Sequence, residues 1–397
     1  MRKIKRIIAV TGIRSEYDIL YPVIKRIKDC KNYDLKLVVS GAHLSDWHGS
    51  TLERISNDGF EITECIDSLL STNRTTQRSK AVAMLISGLT QTVEREKPDL
   101  LLVVGDREES IATAIVGNYM DVLVAHIGGG DPVWGNADDP IRMAVSKLSH
   151  IHFTTAIPYS KNLINMGEDS WRIKFCGTPG LDNINNESML SKEDVKSSLE
   201  IITNDYIVML KHPLSSESES IYSQMEISIS AVNEFCKKRD LTAICITPNS
   251  DPGSYEIVKA YQDFSSDSLI LKQTLPRNIF INLMRHSKAL IGNSSMGILE
   301  APMYKLPVVN IGNRQRGRLN AGNVMFVDYC KGDIISALER AVFDDSYRKH
   351  ISSLDNPYGK GEASKVVLNF LETVNLDDAR WHVKEKLVQE NIGNNNE

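Results

Sequence analysis

Short runs of aliphatic residues, each closed by glycine or a small polar residue and followed by a helical pattern, recur along most of the chain. Residues 7–10 run into Thr11-Gly12, 35–39 end at Ser40-Gly41, 99–104 at Gly105-Asp106, 122–127 at Gly128-Gly129-Gly130, and 173–176 at Gly177. Between them, Ile19, Leu20, Val23, Ile24 and Ile27 mark one face of a helix, and Val82, Leu85, Ile86, Leu89 and Val93 one face of a longer one over 76–97. Strands that are apolar on both faces and alternate with helices build a parallel sheet covered on both sides. The pattern restarts at 206–210, which ends at Lys211-His212-Pro213, and continues through 241–246, 269–271, 289–291 and 308–311. Helical stretches fill 222–237, 255–261, 279–286 and 333–342. The sequence thus predicts an α/β chain of two Rossmann-like domains, with a ligand cleft between the carboxyl ends of their strands. The polar stretch 181–204 reads as the junction, giving domains of 1–185 and 186–365, and the Asn-rich end, 387–397, reads as a frayed tail.

Composition narrows the function. A formal net charge of −5 argues against a nucleic-acid partner. No apolar stretch approaches the roughly 18 residues of a membrane span, and the short run after the basic start is a strand, not a leader; the expectation is a cytoplasmic protein with no membrane partner. Cys30, Cys65, Cys176, Cys236, Cys245 and Cys330 form no CxxC pair, so they read mostly as buried thiols, with no metal site. Thr11-Gly12-Ile13-Arg14 lacks the three-glycine dinucleotide fingerprint, there is no Walker loop, and Ser294-Ser295 has no nucleophile elbow. No cofactor is expected.

The polar residues that remain fall at strand ends: Arg14, His43, Asp106, Arg107, His126, Asp131, Asp138, Asp139, Arg142, His212, Asn293, Ser294 and Ser295. Charges inside a buried sheet are costly, whereas at its carboxyl rim they can face a ligand. The densest stretch is Gly292-Asn293-Ser294-Ser295-Met296-Gly297-Ile298-Leu299-Glu300, which reads as a strand end, a polar turn and a helix start. Backbone N–H groups and two hydroxyls there suit an anion, with Glu300 one or two turns along the helix and within reach of a sugar hydroxyl. A phosphorylated ligand such as a nucleotide-sugar is expected; a serine-rich helix cap is the plainer alternative. Asp138-Asp139-Pro140 reads as a cap and first turn that also fixes a carboxylate at the rim.

These motifs resemble the UDP-N-acetylglucosamine 2-epimerases, in particular the hydrolysing branch that feeds sialic-acid-type sugar synthesis. The resemblance covers residues 11–361. It is carried by Thr11-Gly12-Ile13-Arg14-Ser15-Glu16-Tyr17, Gly105-Asp106-Arg107, Asp138-Asp139-Pro140-Ile141-Arg142, His212-Pro213, Asp251-Pro252-Gly253-Ser254, Gly292-Asn293-Ser294-Ser295 and the cationic run from Gly312 to Arg318. It implies a glycosyltransferase-B-like fold, a C-terminal helix over 366–386 returning to the first domain, and a dimer or tetramer. The implied reaction takes UDP-N-acetylglucosamine and water to N-acetylmannosamine and UDP. The C2 proton is removed, UDP is expelled from C1, and the glycal is hydrated.

By the same resemblance, Asp106, Asp131, Asp138, Asp139 and His212 are candidate catalytic residues. Gly12, Arg14, Asn293, Ser294, Ser295, Glu300, Arg314 and Arg318 are candidates for holding the nucleotide and its diphosphate. Two departures lie on the sugar side: Gly128 stands where many relatives carry Glu, and Met143 where His often follows Arg142. A less polar, nucleotide-linked 2,4-diacetamido-2,4,6-trideoxyhexose is therefore the alternative substrate, with UDP or GDP open. A glycosyltransferase of the same fold is the alternative class.

Overall fold

The computed structural model describes residues 4–45, 51–70, 76–132, 138–214, 220–248 and 253–383. The chain divides into two units, Met1–Pro179 with Glu362–Glu397, and Gly180–Gly361.

The first unit is a parallel sheet of β1 (Lys5–Thr11), β2 (Tyr33–Ser40), β3 (Ile62–Ile66), β4 (Leu100–Val104), β5 (Leu123–Ile127), β6 (Ile151–Thr154) and β7 (Ile173–Phe175) in the order β3-β2-β1-β4-β5-β6-β7. β1 pairs with β2 on one side (Ile7 opposite Leu35) and with β4 on the other (Ile7 opposite Leu100). The chain winds outward in both directions from that pair, so the switch point lies between β1 and β4. Alternation explains why the strands are apolar throughout. Ile7, Ala9, Leu100, Leu102 and Val104 pack under the helices Arg14–Lys28 and Ala363–Thr373. Ile8, Val10, Leu101 and Val103 face the helices Thr76–Glu96 and Glu108–Tyr119.

The second unit repeats the plan. β8 (Asp205–Leu210), β9 (Leu241–Ile246), β10 (Leu269–Lys272), β11 (Leu290–Gly292), β12 (Val308–Ile311) and β13 (Val324–Val327) form a parallel sheet in the order β10-β9-β8-β11-β12-β13. Its switch point lies between β8 and β11, and Ile291 stands opposite Met209 across it. The architecture is two Rossmann-like parallel α/β units, as the alternation of apolar runs and helices predicts.

Three strands carry no separate sequence expectation. β3 reads Ile-Thr-Glu-Cys-Ile with only its last residue buried, β6 is four residues long directly after a helix, and β13 is half-buried throughout. The junction 181–204 contains the helices Gly180–Asn186 and Lys192–Leu199, the latter closed by a reciprocal cap between Ser191 and Asp194. Residues 387–397 lie outside the described residues, as do 251–252 of the Asp-Pro-Gly-Ser motif.

The segment after Gly361 belongs to the first unit. Its helix Ala363–Thr373 packs on Arg14–Lys28, with Arg26 Nε donating to Ser364 Oγ at 3.1 Å. A 3-10 turn, Ala379–His382, follows. The wholly buried Arg172 fastens it, donating to the carbonyls of Trp381 (2.8 Å), Arg380 (2.7 Å) and Val383 (2.6 Å), while its Nε reaches Asp169 at 3.0 Å. Among the described residues no helix is long and apolar enough to cross a membrane. The six cysteines are free; Cys176, Cys236 and Cys245 are buried but Cys65 and Cys330 are exposed, so burial holds for half of them only.

Candidate functional site

In the first unit the loops after β1 and β4 flank the switch point. Gly12 follows β1 and carries the carboxylate of Glu109 against its Cα: a Cβ there would lie 2.0 Å from Glu109 Oε1, so a larger residue would have to displace that carboxylate. Arg14 opens the helix Arg14–Lys28 and is exposed. Asp106 follows β4, with Gly105 before it in the left-handed region at φ +80°.

Arg142 is the centre of this rim. It comes from the helix Asp138–Leu148. Its Nη2 pairs with Asp106 Oδ2, and its Nη1 reaches Asp131 Oδ2 at 3.3 Å and the Gly128 carbonyl at 3.2 Å. Asp106 and Asp131, remote in sequence, thus share one guanidinium. Asp106 pairs with Arg142 rather than with its neighbour Arg107, whose contact is to Glu108 at 4.0 Å. Gly128 has φ +85°, which gives one physical reason for glycine there. Asp138 and Asp139 begin the helix; Asp139 is half-buried, and the side chain of Asp138 lies outside the described residues.

Behind them His126 is fully buried on β5, with Nε2 2.7 Å from the Gly105 carbonyl and Nδ1 3.3 Å from Ser146 Oγ. A carbonyl only accepts, so the Nε2–H tautomer is fixed. Burial pulls this imidazole down to about 3, which keeps it neutral. It ties the β4 loop to the Asp138–Leu148 helix. His43 is held likewise, with Nε2 3.0 Å from Thr11 Oγ1, and burial lowers it to about 4.

In the second unit the loops after β8 and β11 meet through one side chain. Asn293 Oδ1 accepts from the His212 backbone N–H at 2.7 Å, and its Nδ2 donates to the His212 carbonyl at 2.8 Å. The amide copies a ladder pair and prolongs the β8–β11 pairing by one residue. Gly292 makes this approach possible: at φ +134°, a Cβ would lie 1.9 Å from the Leu210 carbonyl oxygen. The Asn293 carbonyl in turn accepts from Arg314 Nη1 and Gln315 Nε2, both at 3.2 Å, and Arg318 Nη1 reaches Gln315 Oε1 at 3.1 Å. The cationic run therefore backs the Asn293 turn. Beside it the buried Lys211 donates to the Tyr329 hydroxyl at 2.8 Å.

Ser294 and Ser295 are partly exposed at the turn, and the Ser294 hydroxyl accepts from Met296 N at 3.4 Å. The helix they open, Met296–Leu299, is a single turn, so Glu300 ends it rather than lying further along. One turn supplies little dipole. The groups at this turn that could serve an anion are the partly exposed Ser294 and Ser295 hydroxyls and the guanidinium of Arg314.

The structure thus gathers Gly12, Asp106 and Asp131 at one rim, and His212, Asn293, Ser294, Ser295, Glu300, Arg314 and Arg318 at the other. Sequence reasoning missed Glu109 and met Glu16 only inside the Thr11–Tyr17 motif, with no role; both are buried in the first turns of their helices. An acid in a first turn reads as ordinary dipole compensation, so the sequence does not mark either as buried. Among the described residues no group of three His, Cys, Asp or Glu is placed to hold a metal. A surface groove of about 340 Å³ lies at the amino ends of β1 and β2, between Lys5, Tyr33 and Asp377, and contains none of the motif residues.

Twin parallel sheets with polar residues concentrated at both switch points define the class of nucleotide-binding, glycosyltransferase-B-like α/β proteins. The UDP-N-acetylglucosamine 2-epimerase family model matches residues 25–372, and the chain belongs to that family. It is 34% identical to the UDP-N,N'-diacetylbacillosamine 2-epimerase (hydrolyzing) of Legionella pneumophila, covering 94% of this chain and 97% of that one. It is 30% identical to the GDP/UDP-N,N'-diacetylbacillosamine 2-epimerase (hydrolyzing) of Campylobacter jejuni, with the same coverage. Among solved structures, the UDP-GlcNAc 2-epimerase from Neisseria meningitidis bound to UDP-GlcNAc shares the fold, with TM-score 0.71 and 22% identity over 92% of this chain and 99% of that one.

Proposed function

We propose that this chain is a hydrolysing 2-epimerase whose substrate is a UDP-linked 2,4-diacetamido-2,4,6-trideoxyhexose of the bacillosamine type. The observation that carries the choice of sugar is the near-full-length identity to two proteins named for that substrate, 34% and 30%. Gly128 and Met143 agree with it, since neither offers a polar side chain to a sugar hydroxyl. This replaces N-acetylglucosamine, and with it the sialic-acid branch, as the favoured reading. Family membership leaves the glycosyltransferase alternative without support.

The chemistry divides between the two rims. On the first, a carboxylate takes the C2 proton; Asp106 is the candidate base, with Asp131, Asp138 and Asp139 as the other carboxylates of that rim. The C2–H electron pair forms the C1=C2 bond as the C1–O bond breaks, and UDP departs with that bond's electrons. Water then adds its oxygen to C1 while C2 is reprotonated on the opposite face, giving the free 2-epimeric sugar. Arg142 holds Asp106 and Asp131 in place, so the base is aimed before the substrate arrives. On the second rim, Ser294, Ser295 and Arg314 supply donors for the departing diphosphate, Arg318 adds positive charge, and Glu300 takes the ribose hydroxyls; Arg14, on the first unit, is the remaining diphosphate candidate. His212, fixed through Asn293, is the candidate acid for the leaving group.

The test is proton NMR in deuterated water with UDP-N,N'-diacetylbacillosamine and UDP-N-acetylglucosamine as separate substrates. The expected products are UDP and the free manno-configured diacetamido sugar carrying deuterium at C2, with kcat/KM higher for the first substrate. A higher kcat/KM for UDP-N-acetylglucosamine overturns the choice of sugar. Turnover of either without deuterium at C2 overturns the mechanism.

A further inference from the structure

Arg142 is carried by the helix Asp138–Leu148, so its aim depends on how that helix is turned about its own axis. Apolar packing has no direction and leaves a rotation loosely set. Two consecutive residues near the end of the helix make directional bonds to the structure beneath. Ser146 Oγ lies 3.3 Å from His126 Nδ1, and the same hydroxyl donates to the Arg142 carbonyl at 2.9 Å. Lys147 Nζ donates to Glu168 Oε1 at 2.9 Å and to the Met166 carbonyl at 3.1 Å. The other Glu168 oxygen, Oε2, accepts from His152 Nε2 at 3.2 Å. His126 and His152 are register partners on β5 and β6, and both are fully buried. Ser146 and Lys147 thus tie one helix to two neighbouring strands.

Glu168 has no part in the reaction as proposed. Its side chain is 0% exposed, a costly place for a carboxylate unless its partners are well placed. Its backbone is fixed by the closure of the helix Ile157–Asn165. Gly167, at φ +84°, donates its N–H to the Ile164 carbonyl at 2.9 Å, and Glu168 N–H donates to the Leu163 carbonyl at 3.0 Å. With the backbone set, the bonds to Lys147 and His152 fix the carboxylate in turn.

We propose that Glu168 is a positioning residue: through Lys147 and His152 it sets the rotation of the Asp138–Leu148 helix and so aims Arg142 at Asp106. The role rests on the proposed function, in which Asp106 takes the C2 proton. The lever is steep. A group about 6 Å from a helix axis moves about 1 Å when the helix turns by roughly 10°. A misplacement of about 1 Å is enough to cost about a hundredfold in rate. Ser146 is a second tie on the same helix, so loss of the Glu168 bridge turns the helix without releasing it.

Glu168→Gln keeps the volume and one acceptor. The amide oxygen serves Lys147 or His152 but not both, and the amide nitrogen sets a donor against the other. In a crystal structure of this variant, the contact between Arg142 Nη2 and Asp106 Oδ2 is expected to open by about 1 Å. C2 deuterium exchange should fall by about ten- to a hundredfold, with UDP affinity by calorimetry unchanged. A double-mutant cycle separates aiming from general support. Arg142→Lys keeps the charge but loses the fork that reaches both Asp106 and Asp131. If Glu168 acts through Arg142, adding Glu168→Gln to Arg142→Lys should slow exchange by no more than about twofold further. Lys147→Met breaks the same tie from its exposed end and is read in the same way, which covers a Glu168→Gln chain that does not fold.

An unchanged contact between Arg142 and Asp106 in the folded variant overturns the proposal, whatever the rate does. Losses that multiply in the double variant overturn it as well. Absence of turnover on any UDP-sugar counts against the proposed function alone, because the crystal structure needs no substrate.

Discussion

Asn293→Ala tests whether one amide fixes the second unit's switch point. The Asn293 side chain is 1% exposed and makes two bonds, of 2.7 and 2.8 Å, to the backbone of His212, itself 8% exposed. Truncation strands one N–H and one C=O. At roughly 1–3 kcal/mol for each buried group left unpaired, the loss is about 2–6 kcal/mol. A water entering the space left by the amide would bridge the same two groups and hold the value to the lower half of that range. The Asn293 carbonyl keeps its bonds from Arg314 and Gln315, so the cationic run should stay in place and the damage should centre on His212. Asn293→Asp is the informative companion. It keeps an acceptor for the His212 N–H but sets a carboxylate oxygen against the His212 carbonyl, and should cost at least as much at neutral pH. Urea unfolding followed by circular dichroism gives the stability change, and steady-state kinetics the functional one. The expected pattern is a fall in kcat larger than any change in UDP affinity. Stability within about 0.5 kcal/mol of the wild type in both variants would refute the bridge as the fixing element.

Asp106→Asn keeps shape and one acceptor for Arg142 but removes the base. C2 deuterium exchange should fall by about 10²–10⁴-fold, with UDP binding by calorimetry retained; near-normal exchange in a folded variant would remove Asp106 from the chemistry. Glu300→Ala should weaken UDP by about ten- to a hundredfold through two lost charge-assisted bonds to the ribose, and unchanged affinity would misplace the ribose. Acid stability provides the pH prediction. His126 sits at about 3 in the folded chain against 6.5 for a free imidazole, so the unfolded state binds the extra proton between those values. Its contribution is therefore whole above pH 6.5 and falls with pH toward 3, by at most about 1.4 kcal/mol per unit. His126→Asn should flatten that slope in urea midpoints measured from pH 7 down to 4 (spanning the ~6.5 of a free imidazole), and an unchanged slope would place the acid sensitivity elsewhere.

Much of the fold was legible because parallel strands buried on both faces leave an unmistakable pattern. Leu241–Ile246 and Val308–Ile311 were bounded to the residue, since each is an apolar run broken by one polar residue only, Thr242 or Asn310, between clear stops. β3 was hidden because an edge strand with polar residues on its open side looks like loop, and β13 because half-burial blurs its run. The rim motifs were visible as polar residues clustered at strand ends. What could not be read was their partnering. Nothing in the order of residues says that Asp106 and Asp131 converge on Arg142, or that Asn293 ties down His212, because those contacts are made by strands placed side by side only in the folded sheet. The burial of Glu16 and Glu109 was invisible for the opposite reason: as first-turn acids they are explained by their local context.

The arrangement around Arg142 suggests how such a rim can tolerate a changed sugar. The resemblance leads one to expect a carboxylate at position 128, yet here glycine stands with φ +85° and its carbonyl accepts from Arg142 Nη1 at 3.2 Å. Among the described residues the guanidinium reaches oxygens of Asp106, Asp131 and the Gly128 backbone, so its hold on Asp106 does not depend on a side chain at 128. On the proposed function, the lack of a side chain there frees space at the sugar end without unfastening the candidate base. The proposed nucleotide end is built differently: the side chains of Asn293, Arg314 and Gln315 bond to the main chain of His212 and Asn293, at a turn where only Gly292 fits against Leu210. On the proposed function, a change such as that at Gly128 would alter the sugar end while the bonds around Asn293 at the leaving-group end stay as they are.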